Sequence, residues 1–262
     1  MKQLDTVIVS NLQISQTIFS LTAKSEYIAK SAVPGQFLNI LVSNNLDPLL
    51  RRPISISNVN QKEKTFTIVY DVRGKGTFLL AKKRAGESLS VIGPLGQSFP
   101  VNKKDRISVL VGGGIGSPPL LFLANKLKFA KQETFVLIGG KSRKNIILAE
   151  EFEKLGSKIF ISTEDGSIGS KGFVSHLLQT LILDLKSLGQ KIDTAYACGP
   201  TPMLEAVSEI AKESNIKTYL SLEAFMGCAI GACKGCAVHT TSGYKMVCSD
   251  GPVFNAKDIV WS

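Results

Sequence analysis

Four cysteines near the end of the chain have the spacing of an iron–sulfur site. Cys228, Cys233, Cys236 and Cys248 form the pattern C-x4-C-x2-C followed by x11-C. The first three reproduce the ligand spacing of plant-type [2Fe–2S] clusters. Glycines alternate with these ligands in the run MGCAIGACKGC, and residues without a Cβ let a loop turn its backbone N–H groups towards sulfur. The spacing predicts a cluster that transfers one electron at a time.

Two other interpretations of these cysteines remain open at this point. Four thiolates also suit zinc, although zinc sites usually pair their ligands in two C-x2-C knuckles, and only one such knuckle is present. The thiols could also be unrelated to one another. Of the two histidines, His239 follows the cysteine loop and is a candidate for tuning a cluster. His176 lies in an amphipathic segment and is expected to be structural.

Composition limits what else the chain can be. Its 262 residues, 44% of them hydrophobic, suffice for two ordinary domains and a small appendage. No secretory signal or bilayer-spanning apolar run is visible, so we expect a cytoplasmic protein without membrane contact, whose thiols bind metal. The net charge of +10 suits anionic cofactors or an acidic partner. The basic residues form no stripe with aromatic residues, so nucleic acid is not an expected partner.

Two architectures follow one another along the chain. Residues 1–101 contain short segments that alternate apolar and polar residues, separated by turns such as Pro34-Gly35-Gln36, which predicts a small antiparallel barrel. Residues 102–220 alternate strands with helices, which predicts a parallel, doubly wound sheet with ligands at the carboxyl ends of its strands. The remaining residues, 221–262, are too few for a core of their own and need a metal or a partner.

Two turns are candidates for binding phosphate groups. The run from Gly112 to Gly116 follows a predicted strand, but its G-x-G-x-x-S pattern is an incomplete dinucleotide fingerprint, and the expected acidic residue some 20 positions on is missing. In the predicted barrel, Arg52 and the turn Gly74-Lys75-Gly76-Thr77 could clamp a pyrophosphate. An ordinary surface arginine and an ordinary helix cap explain the second pair equally well.

The order of these motifs resembles a known superfamily. RPIS, GKGT, GGGIGSPPL and CGPTPM follow one another as in the ferredoxin reductases, which join a flavin barrel to a pyridine-nucleotide domain. The C-terminal SLE, Met226, the four cysteines and DGPVF resemble the electron-transfer subunits of class 1B (NAD-linked) dihydroorotate dehydrogenase. The resemblance extends from about residue 4 to residue 260. It implies an FAD-binding barrel (1–101), an NAD-binding α/β domain (102–220) and a small [2Fe–2S] domain (221–262).

The resemblance also implies roles for individual residues. At matching positions, the FAD pyrophosphate and isoalloxazine would be held by Arg52, Pro53, Ile54 and Ser55, the ribityl and adenine side by Val69, Tyr70 and Asp71, and the pyrophosphate again by Gly76 and Thr77. Arg73 or Lys75 would replace the basic residue that relatives often have at Asp71. The nicotinamide of NAD would face Gly112, Gly113, Gly114, Gly116, Gly199 and Pro200, with Cys198 nearby; Cys198 is equally well interpreted as a small buried hydrophobe. Relatives usually have glycine at Ala229, so a positive φ is expected there.

The function implied is electron transfer to NAD+ in pyrimidine biosynthesis. Electrons would come from the reduced FMN of a dihydroorotate dehydrogenase catalytic subunit, bound as a heterotetramer of two plus two, and pass through the cluster and FAD. Two alternatives stay open: a flavin and iron–sulfur reductase for a sulfide, glutamate-synthase-like or hydrogenase system, and a regulatory metal module on a degenerate flavoprotein scaffold. NADP is also open, because Lys141 and Arg143 could accept a 2′-phosphate.

Overall fold

A closed antiparallel barrel of six strands forms the N-terminal part of the protein. In the computed structural model, which describes residues 1–261, the barrel strands have the order β1-β2-β5-β4-β3-β6. They and their two helices are β1 (Lys2–Gln13), β2 (Ile18–Lys24), α1 (Glu26–Ser31), β3 (Phe37–Ile40), β4 (Arg52–Asn60), β5 (Thr65–Asp71), α2 (Lys75–Ala81) and β6 (Ser88–Leu95). The predicted barrel is confirmed. The alternation over 14–23 predicts one strand, but β2 begins only at Ile18; residues 78–83, after the Gly74–Thr77 turn, predict a short helix, but α2 begins at Lys75.

A seven-stranded sheet follows the barrel, flanked by helices. Its chain-order elements are β7 (Ile107–Gly113), α3 (Ser117–Phe129), β8 (Glu133–Gly140), α4 (Ala149–Lys154), β9 (Lys158–Thr163), β10 (Ser170–Lys171), α5 (Val174–Ser187), β11 (Thr194–Cys198), α6 (Thr201–Glu213) and β12 (Lys217–Ser221). The six strands β7 to β12 run parallel to one another. β7, β8 and β11 are apolar and lie in the middle, so they are buried on both faces. The predicted doubly wound sheet is confirmed.

The C-terminal segment is attached to the sheet. It contributes β13 (Ala237–Thr240) and β14 (Gly243–Met246), which form a hairpin, and β15 (Val253–Asn255), which pairs antiparallel with β12 as the seventh strand of the sheet. Ala229, Cys236 and Cys248 share one buried core with Phe37 and Leu95 of the barrel and with side chains of β7 and β11. The cysteine loop therefore packs where the barrel and the sheet meet.

Helix α3 joins the sheet to the barrel. It runs beside β4, and its Phe122 belongs to the barrel core together with Leu38, Ile54 and Ile56. Burial of this aromatic ring fixes the start of α3, with its glycine turn, relative to the strand that begins at Arg52. Within residues 1–261, no helix is long and apolar enough to cross a membrane.

Candidate electron-transfer site

The four cysteines come together as two pairs. The Sγ atoms of Cys236 and Cys248 lie 3.2 Å apart, and both residues are buried. Cys228 and Cys233 form the outer pair: Cys233 is exposed, Cys228 is half-buried, and the Cys233 N–H donates to Cys228 Sγ at 3.3 Å. One pair thus faces the protein core and the other faces solvent.

Backbone N–H groups of the loop point at the sulfur atoms. Cys228 Sγ accepts from Ile230 and Cys233, and these N–H groups lower the pKa of the Cys228 thiol to about 6. Cys248 Sγ accepts from Gly231 at 3.1 Å, but burial and the neighbouring Cys236 thiol raise the pKa of Cys248 to about 11. Cys248 therefore needs a cation to be held as a thiolate, as metal binding supplies.

The pairing favours a two-iron cluster over zinc. A structural zinc ion needs four ligands around one point, with Zn–S distances of about 2.3 Å. A [2Fe–2S] cluster instead takes two ligands on each iron. Two separate thiol pairs, with N–H groups aimed at the sulfur atoms, fit the second arrangement.

The loop that carries the cysteines needs left-handed backbone at several positions. Ala229 has a φ of 61°, as expected from its replacement of glycine, and it is buried. Gly231 (φ 84°) and Lys234 (φ 59°) share this region. Left-handed backbone is unfavourable for residues with a Cβ, and it persists where the surrounding structure enforces it. Here it lets the loop reverse direction and turn its N–H groups inward.

Arg52 and the Gly74–Thr77 turn, predicted together as a candidate pyrophosphate clamp, lie side by side in the barrel. The guanidinium group of Arg52, at the start of β4, lies against Gly76 in the first turn of α2; a Cβ on Gly76 would stand 2.8 Å from Arg52 Nη2. Arg52 Nη1 donates to the carbonyl oxygens of Leu50 and Arg51. The Thr77 hydroxyl accepts from the N–H groups of Arg73 and Gly74, at 3.0 and 3.3 Å, and so caps the helix. The cap and the arginine belong to one place.

The residues expected on the adenine side of the flavin do not share a face. Because side chains alternate along a strand, Val69 points away from the barrel core and packs with Ile18 of β2 and with Ile147 from the loop after β8. Tyr70 points into the barrel core, where its hydroxyl donates to Asn11 Oδ1 at 2.9 Å and burial raises the pKa of the phenol to about 12. The side chain of Tyr70 is therefore turned away from Val69 and Asp71.

The basic residues suggested as replacements at Asp71 are both in ion pairs. Arg73 Nε lies 2.8 Å from the carboxylate of Asp71 itself, and Lys75 pairs with Asp47. On β4, Ile54 is nearly buried and belongs to the barrel core, while Pro53 and Ser55 are half-buried. The strand thus offers an aliphatic surface beside the Arg52 guanidinium.

The two glycine turns of the sheet pack against each other. β7 and β11 are neighbours in the sheet, with Gly112 opposite Cys198. A Cβ on Gly116 would collide with the Cys198 carbonyl, and one on Gly113 would lie 2.9 Å from Pro200 Cδ. Within residues 1–261, a Cβ on Gly114 (φ 52°) would meet open space. Packing of the turns thus explains Gly113 and Gly116, and Gly114 is the glycine that faces outward.

The position of Cys198 favours its interpretation as a small buried hydrophobe. It is 3% exposed, and burial, together with the charge of Glu223, raises the pKa of its thiol to about 12. A thiol that stays neutral is a poor nucleophile. Cys198 closes β11 beside the glycine turn without adding a reactive group.

Three buried polar side chains were not predicted from the sequence. Asn39 Oδ1, Ser117 Oγ and Ser162 Oγ are buried and have no hydrogen-bond partner among residues 1–261. Ser117 begins α3, where a Cβ on Gly112 would lie 2.6 Å from its hydroxyl, and Ser162 lies at the carboxyl end of β9. Asn58 Oδ1, on β4, is a fourth such atom. Buried polar groups are normally satisfied, so each of the four lies where a water or a bound group can supply a partner.

The barrel, the glycine turns of the sheet and the thiol loop together define a ferredoxin-reductase-like protein with an iron–sulfur segment. A solved NADH-dependent reduced ferredoxin-NADP oxidoreductase, studied for flavin-based electron bifurcation, has a TM-score of 0.87 and 29% identity, over 98% of this chain and 90% of that chain. Residues 110–209 match the oxidoreductase NAD-binding domain family, and residues 223–260 match the iron-sulfur cluster binding domain of dihydroorotate dehydrogenase B.

Curated relatives extend this similarity to the whole chain. The dihydroorotate dehydrogenase B (NAD(+)) electron transfer subunit of Bacillus pumilus is 40% identical, over 100% of both chains. Its counterpart in Lysinibacillus sphaericus is 42% identical, over 94% of both chains. The chain belongs to the family of dihydroorotate dehydrogenase B (NAD(+)) electron transfer subunits.

Proposed function

We propose that this protein passes electrons from the reduced FMN of a dihydroorotate-oxidising catalytic subunit to NAD+, using a [2Fe–2S] cluster and FAD. The observation that carries the proposal is the position of the thiol pairs. Cys236 and Cys248 lie in the core shared with the barrel and the sheet, whereas Cys233 is exposed. A cluster held by both pairs has one side towards the flavin barrel and the other towards a partner.

The cluster ligands in this proposal are Cys228, Cys233, Cys236 and Cys248. The N–H groups of Ile230 and Cys233 already donate to Cys228 Sγ, and that of Gly231 donates to Cys248 Sγ. Donors to sulfur stabilise the thiolate form and tune a cluster. Burial of the inner pair excludes water on that side, so the exposed edge at Cys233 is the side open to an electron donor.

FAD is assigned to the barrel face beside α2. Arg52 holds the pyrophosphate with a charge-assisted contact, the absence of a Cβ on Gly76 leaves room for the guanidinium group, and Thr77 fixes the turn. Pro53, Ile54 and Ser55 border the isoalloxazine, and Val69 and Asp71 border the ribityl and adenine side. When bound, the flavin supplies the exchange between single electrons and a hydride; the chain supplies its position.

The nicotinamide is assigned to the carboxyl ends of β7 and β11, where bound nucleotides lie in doubly wound sheets. Gly114 offers open backbone there, and Gly112, Gly113, Gly116, Gly199 and Pro200 shape the two packed turns. Cys198 is the buried last residue of β11 and directly precedes Gly199. Hydride transfer needs no proton-transferring side chain from this region, and none of these residues provides one.

The coenzyme of the proposal is NAD, because two acidic residues adjoin the loop that carries Lys141 and Arg143. The loop after β9 is bound to the loop after β8: Glu164 N–H donates to the Gly140 carbonyl at 3.0 Å, and Asp165 N–H to the Lys141 carbonyl at 3.2 Å. Two acidic residues thereby adjoin Lys141. The negative charges of Glu164 and Asp165 disfavour the 2′-phosphate of NADP, so NAD, with its free 2′-hydroxyl, is the better ligand.

The partner surface of the proposal surrounds the outer cysteine pair. Phe225 is 98% exposed and Ile230 is 48% exposed, and both lie within three residues of Cys228. Exposed apolar side chains in one place are typical of protein contact sites. We assign Phe225 and Ile230 to the contact with the catalytic subunit, in a cytoplasmic complex that contains two copies of each subunit.

Cofactor content and partner dependence test this function together. Anaerobically purified protein should contain FAD, with iron and acid-labile sulfide at about two each per chain. Alone, it should oxidise NADH with artificial acceptors but not oxidise dihydroorotate; with the catalytic subunit, dihydroorotate should reduce NAD+. Stoichiometric zinc without sulfide, or dihydroorotate oxidation by this chain alone, would overturn the proposal. Co-purification with a sulfide, glutamate-synthase-like or hydrogenase protein would point to another acceptor.

A further inference from the structure

A buried asparagine lies between the cysteine loop and the flavin strand. Along β3, Leu38 and Ile40 point into the barrel core, whereas Phe37 and Asn39 point to the opposite face. Phe37 packs in the core that contains Cys236 and Cys248. Asn39, which is 3% exposed, shares that face and is turned towards the cysteine loop.

One end of the Asn39 amide contacts a cluster ligand. Asn39 Nδ2 lies 3.5 Å from the backbone carbonyl oxygen of Cys228, at the outer limit of a hydrogen bond. The opposite orientation of the amide would bring two oxygen acceptors together, so the nitrogen belongs on the Cys228 side. Its oxygen, Oδ1, therefore points elsewhere, as an acceptor.

That oxygen is buried and lacks a donor within residues 1–261. Leaving a buried acceptor unpaired costs stability, so native proteins rarely do so without a ligand or an ordered water. In the antiparallel pairing of β3 with β4, Asn39 stands opposite Pro53, and Phe37 stands opposite Ser55. Residues opposite each other share a face, so Asn39 shares its face with Pro53 and Ser55, which are assigned to the isoalloxazine, whereas Ile54 and Arg52 belong to the other face of the strand.

We propose that Asn39 is a positioning residue that joins the two cofactor sites: its nitrogen holds the Cys228 carbonyl, and its oxygen accepts a hydrogen bond from an N–H or O–H group of the bound flavin. This inference rests on the proposed function. The two contacts satisfy both ends of an amide that is otherwise buried next to the apolar core containing Phe37. They also make the cysteine loop sensitive to whether FAD is bound.

The test uses the isolated full chain, without the catalytic subunit. Asn39→Leu removes both ends of the amide while keeping its branched shape and number of non-hydrogen atoms, and Asn39→Ala is the second variant if the larger leucine does not fit. Asn58→Leu is the matched control, because Asn58 is also a barrel asparagine with a buried, unpartnered Oδ1, at the far end of β4 from Arg52. FAD affinity of the apoprotein, the flavin reduction potential and the separate flavin and cluster absorption changes after NADH addition are measured anaerobically.

The expected result has two parts. Asn39→Leu should weaken FAD binding by about 3- to 10-fold, as for the loss of one hydrogen bond, and should shift the flavin potential. It should also slow reduction of the cluster by NADH more than it slows reduction of the flavin, whereas Asn58→Leu should change none of these.

Unchanged FAD affinity and flavin potential in both Asn39 variants would overturn the inference, because a water or the loop alone would then satisfy Oδ1. The same loss in Asn58→Leu would also overturn it, by showing a general barrel effect. Failure of the wild-type chain to bind FAD would instead contradict the proposed function, so the two failures are distinguishable.

Discussion

Arg52→Ala is the most direct perturbation of the assigned flavin site. The guanidinium group lies against Gly76, with its Nη1 nitrogen engaged by the carbonyls of Leu50 and Arg51 and its Nε and Nη2 nitrogens on the Gly76 side. The Nε and Nη2 edge makes no hydrogen bond within residues 1–261, and it is the edge that we assign to the pyrophosphate. Truncation to alanine removes it without removing a buried side chain, since Arg52 is only half-buried. We therefore expect a loss of FAD affinity in a protein that still folds.

The magnitude follows from the kind of contact. A hydrogen bond to a charged group contributes about 1.5–3 kcal/mol, which corresponds to a roughly 10- to 140-fold higher Kd for FAD. Arg52→Lys should recover part of the affinity, because lysine keeps the charge but lacks the two-pronged geometry of the guanidinium.

Arg51→Ala is the matched control in the same strand end. Arg51 donates to the carbonyls of Asn39 and Ser90, at 3.3 and 3.1 Å, and to the Ser90 hydroxyl, so it ties β3 to β6. Its loss leaves buried acceptors unpaired and should lower the free energy of unfolding by roughly 1–3 kcal/mol.

The assay is titration of the apoprotein with FAD, followed by flavin fluorescence, with urea unfolding of each variant alongside. Arg52→Ala should change affinity and Arg51→Ala should change stability. Equal FAD affinity in Arg52→Ala and wild type, or FMN in place of FAD in the purified protein, would refute the assignment.

Three further predictions concern the cluster, the glycine turns and the coenzyme. Cys236→Ser should lose iron and sulfide while Cys198→Ser retains both, as measured by metal and sulfide analysis; retention of the cluster in the first variant would contradict its place as a ligand. Gly116→Ala should lower the free energy of unfolding by roughly 1–3 kcal/mol in urea, because its Cβ meets the rigid Cys198 carbonyl; wild-type stability would show that the turns can move apart. Glu164→Gln combined with Asp165→Asn should raise kcat/KM for NADPH relative to NADH, and an unchanged ratio would place the ribose elsewhere.

Local patterns predicted most of the fold because they act over a few residues. Alternation identified most of the barrel strands, and the change to strand–helix alternation near residue 102 located the second sheet. β6 was missed because its run Ser88–Leu95 ends in Gly-Pro-Leu, which reads as a turn. The pairing of β15 with β12 was also missed, because three residues carry no signal for a partner that is distant in the sequence.

The site shows the same division between local and distant information. Cysteine spacing and the glycine-like position of Ala229 are local, and the structure brings the thiols together and confirms the positive φ. The face of a strand that points to a cofactor depends on how the barrel closes, so Tyr70 was placed beside Val69 although its side chain points into the core. Asn39 had no sequence signal, since a single polar residue in a strand usually faces solvent.

The central claim is that electrons reach FAD from the catalytic subunit through the cluster held by the four cysteines. Anaerobic stopped-flow on the complex tests it most directly, with dihydroorotate and NAD+ added to wild type and to a well-folded, cluster-free Cys233→Ser variant. We expect the variant to lose dihydroorotate-dependent NAD+ reduction while NADH still reduces its flavin. Wild-type rates of dihydroorotate-dependent NAD+ reduction in the cluster-free variant would contradict it.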